Sequence, residues 1–102
     1  MPYAPPPVHW PMQAPKALLE KYADRTGPGL NDTRYGAMIE AMDTEIGRLL
    51  DTLGPEEREN TYVIFMGDNG EAVLRGKGCL LDRGTHVPLV IRWPGRVAPG
   101  SD

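Results

Sequence analysis

Cysteine is nearly absent: the 102 residues hold one, Cys79. That excludes an internal disulfide and a cysteine-based zinc site. An excess of positive charge is missing too, with 11 Lys and Arg against 14 Asp and Glu and a formal net charge of -3. A domain that lives on nucleic-acid phosphates is normally basic, so no nucleic-acid partner is expected. No apolar run approaches the roughly 20 residues of a membrane span, so no membrane partner is expected. The N-terminus lacks the basic, then apolar pattern of a signal segment, which leaves the compartment unassigned. There is no internal repeat and no low-complexity segment.

What is present suits one small ordered domain. Hydrophobic residues make up 40% and charged residues 25%. A chain of this length buries about 60–65% of its unfolded surface, a thin margin. The 11 prolines and 12 glycines limit regular structure further. Six of the prolines fall within residues 1–15. Each fixes φ and restricts its predecessor, so an extended arm is expected there. Tyr3, Val8, Trp10 and Met12 are its candidate docking residues.

Pro15 is placed to open a short helix over Lys16 to Tyr22. Asp24 to Asn31 reads as a loop. A long helix is expected from Thr33 to Leu53, capped by Asp32 or Asn31. Its apolar stripe is Tyr35, Met38, Ile39, Met42, Ile46, Leu49, Leu50 and Leu53, a 3.6-residue period. Gly36, Asp43 and Gly47 lie along one edge of it. A glycine inside a helix costs about 1 kcal/mol against alanine, which a close backbone approach would offset. Gly54 and Pro55 end the helix, and Glu56 to Asn60 reads as a charged turn.

Thr61 to Met66 (TYVIFM) is an apolar run of β formers and reads as a buried, parallel, central strand. Glu71 to Gly84 reads as a loop. Val87 to Trp93 is a second strand, with Pro88 at its first residue or on an edge. Pro94-Gly95 turns the chain into a tail over residues 97–102. Helix, strand, long loop and strand in that order indicate an α/β fold, part of a three-layer sandwich.

Asp68 and Asn69 follow the first strand at once, where ligands bind open α/β sheets. A carboxylate and an amide oxygen suit a hard cation, although calcium needs about six to eight oxygens. The same residues are common in plain Asn-Gly turns. Lys77, in Arg75-Gly76-Lys77-Gly78, is a cation on a flexible backbone, suited to an oxyanion or simply solvated. The phosphate-loop spacing is not met. His9 could donate to an anion or carry a proton. His86 precedes the second strand and could cap or pack there. Lys77, two residues away, is the candidate cation for lowering the Cys79 pKa. No base stands beside that thiol, so it reads as inert.

Three stretches in order, YGAMIEAMDTEIGRLLDTL, ENTYVIFMGDNG and RGKGCLLDRGTHVPLVIRWPG, resemble the sulfatase family of the alkaline phosphatase superfamily. The resemblance is to the later part of the catalytic domain. It implies a truncated sulfatase-like α/β domain over residues 16–102, behind the arm of residues 1–15. It implies that Asp68 and Asn69 ligate a single divalent metal, calcium in intact relatives. Lys77 matches the lysine that contacts the sulfate group. His9, in VHWPMQAP, is similar to the histidine of the family's His-x-Pro segment, which lines the sulfate pocket. Asp43 and Gly47 match a structural helix pattern.

The departures matter as much. The family's formylglycine nucleophile arises in a Cys/Ser-x-Pro-x-Arg motif, which is absent here. Cys79 is followed by Leu80, Leu81 and Asp82 and cannot stand in. The paired aspartates that complete the metal shell are also missing. Intact relatives hydrolyse sulfuric esters, and this chain is expected to lack competence alone. Uncovered strands imply a homo-oligomer. The alternatives are an oligomeric non-catalytic binding module, or a weak metal-dependent phosphate or sulfate ester hydrolase completed across subunits.

Overall fold

A computed structural model describes residues 8–9, 11–25, 33–70 and 76–101. It has an α/β fold of helices and one small antiparallel sheet. The chain divides into two compact units, Met1–Asp51 and Thr52–Asp102.

The first unit is a helical pair. Helix α1 (Lys16–Tyr22) starts behind Pro15, whose carbonyl accepts from Leu18 and Leu19 N–H at 2.9 and 3.1 Å. Helix α2 (Thr33–Asp51) ends two residues before the expected Leu53. Its expected caps, Asn31 and Asp32, lie outside the described residues, as do Tyr3, Trp10 and most of the arm. Met12, from the arm, is buried.

Tyr22 of α1 packs on Gly36 of α2. A Cβ at Gly36 would lie 2.9 Å from Cδ1 and Cε1 of the Tyr22 ring. This is a close approach of the kind that would offset the helix cost of a glycine. Gly47 has no such neighbour within 4 Å among the described residues. One turn beyond Gly36, Glu40 takes Lys21 Nζ at 2.7 Å on both carboxylate oxygens. Ala37, beside this crossing, is fully buried although it lies outside the expected stripe. Of the stripe itself, Met38 is buried, while Ile39 and Leu49 are exposed.

The second unit opens with α3 (Pro55–Glu59), where a charged turn was expected. Pro55 is its first residue, and the Gly54 N–H donates to Glu57 Oε2 at 2.9 Å, one half of a capping box. Glu56 and Glu57 also oppose the positive end of the helix dipole.

Strand β1 (Val63–Met66) pairs with β2 (Leu89–Arg92) in antiparallel register, Ile64 opposite Ile91 and Met66 opposite Leu89. The expected buried, parallel, central strand is therefore corrected: β1 is antiparallel, is one of two paired strands among the described residues, and alternates half-buried and exposed side chains. An apolar run encodes burial tendency and carries no pairing direction. A parallel partner also needs a long crossover back across the sheet. Pro88 stands just before β2, as its missing N–H requires, and its carbonyl accepts from Gly67 N–H at 3.0 Å.

Alternation along antiparallel strands puts Tyr62, Ile64, Met66, Leu89, Ile91 and Trp93 on one face. Ile64, Met66, Leu89 and Ile91 are 52%, 65%, 60% and 39% exposed. Tyr62 and Trp93 meet at its end, ring centroids 5.3 Å apart. Helix α4 (Asp82–Thr85) replaces part of the expected loop. Beyond β2, Pro94-Gly95 makes the expected turn, with Gly95 at φ +69° and Arg96 N–H on Trp93 O at 3.1 Å. The tail holds a second such turn at Pro99-Gly100, closed by Ser101 N–H on Ala98 O at 3.3 Å.

Candidate functional site

The loop after β1 begins under tight constraint. A Cβ at Gly67 would meet Val87 Cβ at 3.2 Å and Pro88 Cδ at 3.3 Å. Asp68 follows, exposed, and then Asn69, half-buried. Asn69 Nδ2 donates to the Gly70 carbonyl at 2.8 Å. That bond uses the amide nitrogen and leaves the side-chain oxygen as the group available to a cation. Gly70 is buried, and its N–H donates to Gly84 O at 2.9 Å.

Lys77 stands on a separate turn. Cys79 N–H donates to Gly76 O at 2.9 Å, and Gly78 takes the positive φ of +76° at the third position. This is the type II pattern, with exposed Lys77 at the second position. Gly84 touches this turn as well as the Asp68 loop. A Cβ on Gly84 would collide with Cys79 O and come within 2.7 Å of Gly76 O. A Cβ on Gly70 would collide with Arg83 O and lie 2.7 Å from Gly84 Cα. Three bare backbones, Gly70, Gly84 and Gly76, thus carry the two loops against each other.

Helix α4 holds Gly84 in place: Gly84 N–H donates to Leu81 O at 2.7 Å, and His86 N–H to Asp82 O at 2.7 Å. His86 is the C-cap of this helix, with its side chain exposed. His9 belongs to the first unit, is exposed, and follows Val8 at φ +73°. Positive φ is costly for a β-branched residue. Asp43 is exposed on α2.

The Cys79 thiol is held below its ordinary pKa, first by Arg83, whose Nε–H donates to Sγ at 3.4 Å, and then by the Leu81 N–H. Arg83 thus stands where Lys77 was expected. The sequence carried no sign of the partnership, because Cys79 lies on the turn before α4 and Arg83 within that helix.

Asp68 and Asn69 fit a hard cation in donor type but supply only part of a shell. No group of three or more His, Cys, Asp or Glu side chains converges among the described residues. Further oxygens would have to come from elsewhere. Nor is any helix among the described residues long and apolar enough to cross a membrane.

Comparison with known proteins gives a consistent result. The family model described as Sulfatase matches residues 3–102. The chain is 43% identical over 65 residues to the uncharacterized sulfatase YidJ of Escherichia coli, covering 59% of this chain and 13% of that protein. It is 31% identical over 94 residues to human arylsulfatase A, covering 79% and 18%. It is 30% identical over 108 residues to the N-acetylgalactosamine-6-sulfatase of Canis lupus familiaris, covering 91% and 20%. The chain spans a fifth or less of the length of these relatives.

Proposed function

The chain belongs to the sulfatase family and covers part of a larger catalytic domain, and we propose that it carries part of the metal-and-sulfate clamp without an attacking group. The segment corresponds to the later part of the domain, with residues 1–15 as an arm and 16–102 as its α/β body. Asp68 and Asn69 offer oxygen to a divalent cation, calcium by preference. Lys77 offers its ammonium to a sulfate oxygen, and His9 resembles the histidine that the family uses toward sulfate. A bound cation there would neutralise charge on the ester oxygens. Lys77 would hold the ester and stabilise the departing oxygen.

The observation that carries this reading is the placement of the Asp68-Asn69 loop against the Lys77 turn, bridged by Gly84. No residue of the chain supplies the nucleophile motif. The chain alone is therefore inactive toward sulfate esters.

A calcium titration followed by amide NMR tests the reading. Shifts centred on Asp68 to Gly70, abolished by Asp68→Ala, are the expected result. A wild-type chain that shows no response there overturns the metal assignment.

A second reading rests on the exposed face of Ile64, Met66, Leu89 and Ile91. In the isolated chain this face packs against a second copy, because a contiguous apolar patch in water is unfavourable. Sedimentation that returns only monomer at tens of micromolar would rule it out.

A further inference from the structure

The sequence gives Gly70 and Gly84 no chemistry, yet both are buried at the point where the two loops of the proposed clamp meet. Gly70 sits one residue after Asn69, and its N–H donates to Gly84 O at 2.9 Å. Gly84 lies against the carbonyls of Gly76 and Cys79, which flank the Lys77-Gly78 pair. Any side chain at Gly84 would strike those carbonyls, and any at Gly70 would strike the backbone of Arg83 and Gly84. These obstacles are backbone atoms, which cannot swing aside as a side-chain tip can. Neither glycine has a positive φ. The lack of a side chain is therefore used for approach here, and left-handed freedom has no part in it.

We propose that Gly70 and Gly84 are positioning residues, a backbone clasp that sets the distance between the cation ligands Asp68 and Asn69 and the anion-contacting Lys77. The inference rests on the functional reading above for its purpose, and on the backbone contacts alone for its geometry. An anion held between a cation and an ammonium needs those charges at a fixed separation, since misplacement by about 1 Å can cost about 100-fold in rate. A flexible glycine loop around Lys77 would not fix that separation without an anchor. The clasp supplies it through atoms that touch neither cation nor anion.

Hydrogen exchange on the wild-type chain and Gly84→Ala tests the geometry without any metal. The Gly70 amide should be protected in the wild type and lose protection in Gly84→Ala. The Gly67 amide, bonded to Pro88 O on the sheet side, should stay protected in both and reports that the sheet is intact. A Gly70 amide that exchanges freely in the wild type, or stays protected in a folded Gly84→Ala, overturns the clasp.

Calcium supplies the readout that a merely structural role would not move. In the wild type, amide shifts at Asp68 and Asn69 should be accompanied by a shift at Lys77. In Gly84→Ala the Lys77 response should be lost while that at Asn69 remains. Wild-type shifts at Asp68 and Asn69 without one at Lys77 contradict the proposal. A wild type that responds nowhere defeats the metal assignment, and the exchange result then decides the clasp by itself. Should Gly84→Ala unfold the unit, the wild-type exchange and calcium results decide.

Discussion

The Nε–H of Arg83 donates to the sulfur of Cys79 at 3.4 Å, across one turn of α4 and its approach. A guanidinium so placed favours the thiolate, and the Leu81 N–H adds to it. Cys79 should therefore alkylate faster than a free thiol at neutral pH, with a rate midpoint below the ordinary thiol range. Arg83→Ala should move that midpoint upward, read as a pH–rate profile with iodoacetamide. Lys77→Ala should leave it nearly unchanged. A shift caused by Lys77 in place of Arg83 would contradict the geometry.

Two glycines of α2 should respond oppositely to the same substitution. Gly36→Ala places a methyl 2.9 Å from the Tyr22 ring, which must move. Overpacking outweighs the gain in helix propensity, for a net loss of about 1 kcal/mol. Gly47→Ala meets nothing within 4 Å among the described residues. It should stabilise by about 0.5–1 kcal/mol through propensity alone. Urea melts of both variants check the pair.

Acid should loosen the α1–α2 pair. Glu40 is held below its ordinary pKa, chiefly by Lys21 and then by the Tyr22 hydroxyl that donates to it. A carboxyl whose folded pKa is depressed stabilises the fold above its unfolded value and loses that contribution as pH falls through the folded one. Thermal melts should therefore weaken as pH drops below the ordinary carboxylate range. Glu40→Gln should be weaker at neutral pH and lose this part of the pH dependence. The exposed position and solvent screening keep the effect small.

The apolar sheet face should govern association. Ile64→Lys puts a charge among Met66, Leu89 and Ile91 on that face. Light scattering should show the wild type larger than a monomer at tens of micromolar, and the variant shifted toward monomer. Val63→Lys, on the other face, should shift it less.

The helical pair was legible because its signals are local. Pro15 marks the start of α1, and the 3.6-residue stripe marks α2. The close approach at Gly36 was only half legible: Gly36 and Gly47 stand alike in the helix pattern, and among the described residues only Gly36 meets a neighbour. Helices α3 and α4 were missed because five and four residues give periodicity nothing to act on. The direction of β1 was missed because an apolar run such as TYVIFM says nothing of its partner, and its burial was overstated, since Tyr62, Ile64 and Met66 are exposed. The loops bearing Asp68, Asn69 and Lys77 were picked out by their place after a strand and by resemblance. The clasp between them was not readable, since it is made of backbone atoms whose meeting depends on tertiary approach. Arg83 escaped for the same reason: its pairing with Cys79 needs α4 to form.

Turnover of a chromogenic aryl sulfate by the purified chain, with calcium present, tests the central claim most directly. The account predicts no turnover above buffer, because the clamp lacks its nucleophile. Turnover that persists through purification and falls in Lys77→Ala would contradict it.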